Sequence, residues 1–496
     1  MSMPVFISIL PFAVFIGLLL WEKISLLKTS VITAVLFTLL GIFYWKMLPF
    51  YIYTSYGKGI FIAFDIFIIV LGAIFFLEIL SHLNIIKNVS YYLETFSKDY
   101  RIQIIILAWF FENFLEGTAG FGVPAAVVVP LLIGIGLSPI RSLIIGLLGN
   151  STSVVFGAAG TPIRVGLAGL NTASVPLYSA LLNCVGIIVP IFMLWIITSN
   201  RENGRKEFFD GLPFAIWAGV AFVIPSILVL PLGQEFPSII GSVIGLLLVM
   251  ATTKLGIFVP KEIKKFDDEK IPQKTMSASK AFLPYLLLIV LLIVGKFTLG
   301  SMGISISLGF KHIFSFFNPG FAFIAAALIV MFIWRKEFRI LWPSFSSAFK
   351  GTVGPFLVIA AMSSMVQIMI NSGTNFSGIP SAINILSKVF ETPLLPFFAP
   401  FVGAFGSFIT GSATISNIMF GNFFAVASTD LNLNLGIILS LGVVGGAAGN
   451  MMALADILAA EAVAKVKNQE VQIIKGVLIP CLTYVILLGI LGMIIT

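Results

Sequence analysis

Charge is scarce in this sequence. Charged residues make up 10% of its 496 positions, against about 25% in a soluble globular chain. Cysteine is nearly absent. Cys184 and Cys481 are the only two, and both lie within apolar stretches. That excludes a disulfide framework and leaves them as small core residues. With two histidines, no CxxC and no HExxH, no metal constellation can be assembled. Strong net charge is lacking too: +8 at this length does not argue for nucleic acid. What is abundant is apolar surface, at 59% of residues. There is not enough polar surface to cover a soluble body of this size. Apolar runs of about 20 residues read as membrane spans. A single-pass anchor, a secreted domain and a cytosolic enzyme are therefore excluded. The start, MSMPVFISILPF, lacks the basic region of a cleaved signal peptide, so the first segment is expected to stay.

Full crossings read near 5–20, 30–45, 60–80, 176–198, 212–230, 238–251, 280–295, 320–334, 351–370 and 475–494. Two stretches, 102–164 and 391–460, are apolar but studded with Gly, Pro, Ser, Thr and Asn, and do not read as plain helices. Lys and Arg mark cytoplasmic loops. Segment 252–280 carries seven lysines together with Asp267, Asp268 and Glu269, and reads as a cytoplasmic linker between two halves. Arg201, Arg205 and Lys206 lie inside as well, and PLGQEFP (231–237), without Lys or Arg, lies outside. So do 81–101, 335–350 and 461–475 fall inside. The count closes if each irregular stretch holds one hairpin that enters and leaves on the same side, followed by one crossing. The expected architecture is all-α and polytopic, with about 12 crossings and two re-entrant hairpins. Both termini fall outside.

The irregular stretches resemble each other. LEGTA (115–119) aligns with ITGSA (409–413) at an offset of 294, and the glycine-rich 146–160 approaches 440–454. An odd number of crossings separates equivalent points, which inverts the second copy. An inverted-topology repeat is the plan of many secondary transporters. The halves are 1–198 and 280–496, joined by 199–279.

Non-helical backbone at membrane depth survives only where protein or a wet cavity satisfies its polar groups. Hairpin tips at Glu116–Gly120 and Thr410–Thr414 would meet near the midplane. The helical arm after each tip presents free N–H groups and a positive dipole end, suited to a carboxylate. Gly117, Thr118, Thr410, Gly411, Ser412 and Thr414 are the candidate ligands there. Each hairpin is followed by a broken crossing. GNSTSVVFGAAGTP (149–162) interrupts the first, which resumes with Thr161 as N-cap and Pro162 in the first turn. GGAAGN (445–450) interrupts the second, before Met451–Ala460. Asn150, Ser151, Thr152 and Ser153 line the cavity in this reading, Asn450 stands opposite, and Ser416 and Asn417 complete it. The plainer account of such small residues is close helix packing.

Charges inside a membrane are costly and functional suspects by default. Glu112 and Glu116 are i, i+4 neighbours on one face, and two desolvated carboxylates so close resist being charged together. They are the first candidates for proton coupling, with Asp456 and Asp65 next. Arg164 can pair with a substrate carboxylate or with one of these acids. Structural readings compete: Asp65 and Glu78 as ion-pair or interfacial groups, Asp456 as a partner for Lys465, Arg141 as a topology charge, His82 as interfacial, and the 48 phenylalanines as lipid-facing bulk.

ENFLEGTAGFGVPAAVVVPLLIGIGLSPIRSLIIGLLGNSTSVVFGAAGTPI (112–163) resembles the signature region of the L-lactate permease family, and GSFITGSATISNIMFGNF (406–423) with GGAAGNM (445–451) resembles its second signature. The resemblance implies a plasma-membrane transporter of the ion transporter superfamily. It implies uptake of lactate, often glycolate, with a proton, and elevator-type motion of one bundle against a scaffold. It also implies no cofactor beyond the coupling ion H⁺. The bilayer and a small carboxylate are the implied partners, and a second copy of the chain is left open. Two features depart from the family pattern: MALADILAAEAVA after GGAAGNM, and Arg164 after GTPI. Na⁺-coupled carboxylate transport and an anion channel remain as rivals. An enzyme would need a nucleophile–base pair or metal ligands, and no histidine falls in the cavity.

Overall fold

The computed structural model describes residues 3–21, 24–120, 122–199, 201–265, 274–334 and 338–496. The acidic part of the linker (Asp267, Asp268, Glu269) lies outside the described residues, as do Lys270, Arg335 and Lys336. The chain is an all-α, multi-pass membrane protein. Among the described residues nine helices are long and apolar enough to cross a bilayer, and eleven if each of two bent pairs counts as one span.

The elements run in chain order as α1 (Met3–Leu20), α2 (Leu26–Phe43), α3 (Pro49–His82) and α4 (Ile85–Glu94). The first hairpin follows. Its rising arm is α5 (Tyr100–Ile105), a π-helical turn (Ile106–Phe111) and α6 (Glu112–Thr118), and its falling arm is α7 (Val123–Ile135). Then come α8 (Pro139–Gly149), α9 (Gly157–Arg164), α10 (Val175–Leu182), α11 (Val189–Thr198), α12 (Gly204–Leu228) and α13 (Pro237–Lys254). The second half holds α14 (Ala278–Leu299), strands β1 (Gly303–Ser307) and β2 (Lys311–Ser315), α15 (Pro319–Ile333), α16 (Leu341–Asn371) and α17 (Ala382–Phe390). The second hairpin is α18 (Leu395–Thr410) and α19 (Ala413–Asp430), followed by α20 (Leu435–Asn450), α21 (Leu454–Ala464) and α22 (Glu470–Ile495).

Local chemistry sets many of these boundaries. Asp99 accepts from the backbone N–H of Arg101 at 2.9 Å, and Asn434 accepts from that of Ile437 at 3.2 Å. These are N-caps that satisfy otherwise orphan donors. Prolines open α3, α8, α13 and α15 at positions where no N–H is needed. The two halves share an order of elements: a very long helix (α3 or α16), a short amphipathic helix (α4 or α17), a hairpin, and a crossing interrupted after it. At a rise of about 1.5 Å per residue, α3 and α16 are each roughly 50 Å long. They pack along each other through small residues. A Cβ on Gly59 would strike Ser364 of α16, and one on Gly72 would strike the backbone of Gly320 in α15.

Three features differ from the sequence expectations. GGAAGN (445–450) does not interrupt its crossing. Gly445, Gly446 and Gly449 are helical in α20, and the break falls at Met451–Ala453. The glycines are there for contact: Cβ atoms on Gly445 and Gly449 would run into the carbonyls of Pro400 and Ala404 in α18, and one on Gly403 into that of Gly442. Close backbone approach between apolar helices is the usual use of small residues in membranes. Thr161 is not an N-cap, because its hydroxyl donates back to the Ala158 carbonyl. Finally, β1 and β2 form an antiparallel hairpin, pairing Gly303 with Ser315 and Ser307 with Lys311, where no element was expected.

Replacing Gly445 with Val should therefore wedge α18 from α20. Overpacking costs about 1–3 kcal/mol, so a thermal melt in detergent should show a lower transition than wild type. Gly17 has no heavy atom within 4 Å of its Cβ position, and Gly17→Ala should leave the transition where it is.

Candidate functional site

The hairpin tips meet over a small cavity. It measures about 30 Å³ and is lined by Glu116, Gly120, Gly122, Gly157, Ala158, Pro162, Gly411–Thr414, Asn450 and Asp456. Four chain breaks build it. The first tip holds Ala119, Gly120 and Gly122, with Gly120 and Gly122 at φ +60° and +74°, conformations that glycine adopts without strain. The second tip is Gly411–Ser412, with Gly411 at φ +70°. The third wall is the break between α8 and α9, where Ala158, Ala159 and Gly160 all lie in the left-handed region at φ 42°, 52° and 77°. Two consecutive alanines there are costly and persist only where the surroundings over-determine them, a condition concentrated at functional sites. The fourth wall is the break before α21.

Three acids are buried at or beside this cavity, and none has a cation within ion-pair distance among the described residues. Each sits against a glycine. A Cβ on Gly157 would stand 2.5 Å from Glu116 Oε1, and one on Gly122 would stand 2.7 Å from Asp456 Oδ1. A Cβ on Gly149 would meet Glu112 Oε2. Asp456 Oδ2 accepts from Asn450 Nδ2 at 3.0 Å, and Asn450 Oδ1 accepts from Ser407 Oγ at 3.2 Å. Asn450, not Lys465, is thus the partner of Asp456. Glu112 faces α8 behind the cavity, fully buried, with both carboxyl oxygens lacking a hydrogen-bond partner. Asn150 likewise has both side-chain heteroatoms buried and unpartnered. The π-helical turn directly before Glu112 re-aims the acid, and such turns recur at functional sites.

The arms beyond the tips differ. Ser412 caps α19, its hydroxyl accepting from the Ile415 N–H at 3.4 Å. That leaves the Ala413 and Thr414 N–H groups at the cavity without intrahelical acceptors. On α7 the second residue is Pro124, which has no N–H, and the Asp456 carboxyl stands beside Gly122 at that helix start. The dipole end of α7 is already complemented by an internal acid, and that of α19 is free.

Of the residues singled out in the sequence, the structure brings Glu116, Gly411, Ser412, Thr414, Asn450 and Asp456 together at the cavity. The others stand elsewhere. Gly117 faces α13, where its Cβ would stand 2.9 Å from Ile239 and Ser238. The tip turn lies a few residues later than expected because α6 continues to Thr118, whose hydroxyl donates to the Leu115 carbonyl. Ser151 and Ser153 turn back on Leu148 and Asn150. Thr152 packs at Gly186, and its carbonyl accepts from Asn183. Thr410 and Ser416 bond carbonyls of their own hairpin, Gly406 and Gly403. Asn417 donates to the Pro162 carbonyl at 2.9 Å, tying the second hairpin to α9. Arg164 meets none of the three cavity acids. Its Nη1 lies 3.9 Å from Glu235. Asp65 pairs with His312 at 3.3 Å, away from the cavity. Glu78 accepts from Ser347 at 2.7 Å, in line with a structural role.

Glu235 was missed in the sequence. It is 1% exposed and lies 2.9 Å from Lys296 as well as near Arg164. The signal was present: one acid in an external loop without bases, and a lone lysine in the apolar run of α14.

An all-α membrane body with two hairpins facing each other across a buried acidic cavity defines a multi-pass membrane protein of permease type. The sequence profile of the L-lactate permease family matches residues 4–303 and 299–496, and the chain belongs to that family. It lies in the plasma membrane. It is 28% identical over 461 aligned positions to a putative L-lactate permease of Haemophilus influenzae, covering 84% of each chain. It is 24% identical over 518 positions to the glycolate permease GlcA of Escherichia coli, covering 93% of this chain and 90% of that one. It is 24% identical over 434 positions to the L-lactate permease of Bacillus subtilis, covering 75% and 74%.

The Glu235 cluster yields an asymmetric expectation. Lys296→Met leaves a buried acid with only a distant arginine, whereas Glu235→Gln leaves two cations that are 24% and 32% exposed. Removing one partner of a fully buried pair costs about 3–5 kcal/mol, and exposure reduces that. Lys296→Met should therefore lower the melting temperature more than Glu235→Gln does, and the double variant should recover part of the loss. The reverse order would show that the acid is not the costly member.

Proposed function

We propose that the protein imports lactate or glycolate together with a proton, by alternating access around the cavity between the hairpin tips. The observation that carries this reading is the cavity itself: two carboxyls, Glu116 and Asp456, beside a free helix start, with no cation among them. Two like charges about 4 Å apart repel by roughly 4 kcal/mol at an effective dielectric of 20. A substrate carboxylate entering beside two ionised acids would meet that repulsion twice. Protonation of Glu116 removes one of the two repulsions, about half of the total. Anion entry and proton entry are then one event, and symport follows from electrostatics rather than from a dedicated gate.

The substrate carboxylate is assigned to the Ala413 and Thr414 N–H groups and the Thr414 hydroxyl. Asn450, held by Ser407 and Asp456, is near enough to the same cavity to take the 2-hydroxyl. A water needs about 10–15 Å³ of such volume, so about 30 Å³ holds two waters and not a six-heavy-atom hydroxy acid. Loading therefore requires the tips to part. The shared order of elements in the two halves supports an inverted repeat and a rocking or elevator motion. The Asn417–Pro162 contact keeps the second hairpin with α9 as one unit during it. The family membership and the lactate and glycolate permeases among the relatives support the substrate class.

A second reading is favoured by one observation. Glu112 and Asn150 keep four side-chain heteroatoms buried without protein partners, and such a set beside broken helices suits Na⁺ as well as a proton. Purified protein in liposomes with a trapped pH dye separates the two. With membrane potential collapsed, Na⁺ absent and protein-free liposomes as the leak control, external lactate should acidify the interior, glycolate should do the same, and succinate should not. Uptake of labelled lactate only when Na⁺ is added would transfer the coupling to Na⁺ and overturn the proton assignment.

A further inference from the structure

The β-hairpin roofs a second cavity, distinct from the one between the hairpin tips. Its attachment is specific. Phe310 packs over Gly57, where a Cβ would stand 2.6 Å from the ring, and Phe61 of α3 meets Phe310, His312 and Phe314 at 5.4, 5.4 and 5.2 Å. Beneath it lies a space of about 380 Å³ between α3, β2 and the chain after α9. Small-molecule sites begin near 300 Å³.

The walls are cationic. Lys58, Arg164, Lys311 and His312 line the space, with Asp65 as its one acid. Asp65 is engaged by His312 at 3.3 Å, and Arg164 is drawn to Glu235 at 3.9 Å. Neither Lys58 nor Lys311 has an ion-pair partner among the described residues. Two positive charges are thus unmatched. They also run against the charge rule, since the hairpin lies on the side that the Lys/Arg bias makes external, where lysine is depleted. Snorkelling accounts for a lysine reaching water from a helix end. It does not account for two lysines converging on one walled space. The cavity adjoins the central one: Arg164 and Val165 line it, and Pro162, two residues earlier, lines the site between the hairpin tips.

We infer that the cavity beneath the β-hairpin is a carboxylate-recruiting vestibule, in which Lys58 and Lys311 gather the external monocarboxylate before it passes α9 to the central site. The substrate class rests on the proposed function; the anion preference does not. A cleft lined by one sign of charge raises the local concentration of its counter-ion and speeds capture by about 10-fold or more, an effect that salt removes. Selection and coupling remain with the central site.

The test labels a cysteine in the vestibule. Ser315 lines it and is exposed. In a Ser315→Cys, Cys184→Ser protein the remaining thiol, Cys481, is buried. An anionic methanethiosulfonate should react about 10-fold faster than a cationic one, relative to their rates on a free thiol. Lys58→Gln with Lys311→Gln should bring that ratio to near one, and high salt should do the same. In liposomes the same double substitution should raise the external KM for lactate about 3- to 10-fold while Vmax stays within two-fold. Charge-blind labelling, or a preference that survives loss of both lysines, overturns the vestibule. A Ser315→Cys, Cys184→Ser protein with both lysines intact that shows the anion preference but takes up no lactate, as wild type takes up none, would support the site and overturn the proposed substrate instead.

Discussion

The constraint on which the rest depends is the placing of three carboxyls in an apolar interior with no cation beside them. Burial of an ionised group is tolerated when it is paired, and Glu112, Glu116 and Asp456 are not paired with a base. Their neighbours are glycines and amides. Gly149, Gly157 and Gly122 give the carboxyl oxygens room that a methyl group would take, so the acids occupy fitted positions. Elsewhere the chain handles charge in the ordinary way. Asp99 and Arg101 pair at 2.8 Å, and Glu235 is held by Lys296. The contrast between paired acids outside the cavity and unpaired acids at it is what gives the site its chemistry.

The helical frame exists to hold four interruptions around that cavity. Glycine contacts between α18 and α20 fix the second hairpin, and the Asn417 bond to Pro162 couples it to the broken crossing of the first half. The two halves have the same parts but different chemistry. At the α7 start the helix dipole faces Asp456. At the α19 start the N–H groups stand free. The shared order of elements thus supplies two positive helix ends, and one of them faces the buried Asp456.

Much of this was legible in the sequence, because bilayer thickness, charge bias and clusters of small polar residues are strong signals. The helical spans, the irregular stretches and Glu116, Asp456, Ser412 and Asn450 were all marked by them. What escaped depended on packing. A glycine run reads the same whether it breaks a helix or lets another helix approach, and Gly445–Gly449 did the latter. Ser151, Ser153, Thr118 and Thr410 looked like cavity ligands but spend their hydroxyls on nearby carbonyls, a choice set by local backbone geometry. GISIS (303–307) alternates with period two, but its partner KHIFS (311–315) does not, so the hairpin did not stand out from its apolar surroundings. Glu235 showed in the sequence only as one acid in a loop without bases, and its burial needed the fold to show it.

The central claim is that anion entry requires a neutral carboxyl at the cavity. Glu116→Gln supplies that neutrality permanently, and its most direct measurement is a pair of assays on the same liposomes. The account predicts that the variant still exchanges internal for external labelled lactate at a rate within about ten-fold of wild type. It also predicts that an imposed pH gradient no longer drives accumulation. A variant that accumulates lactate against its gradient as wild type does, with Glu112→Gln and Asp456→Asn equally unaffected, would contradict the account.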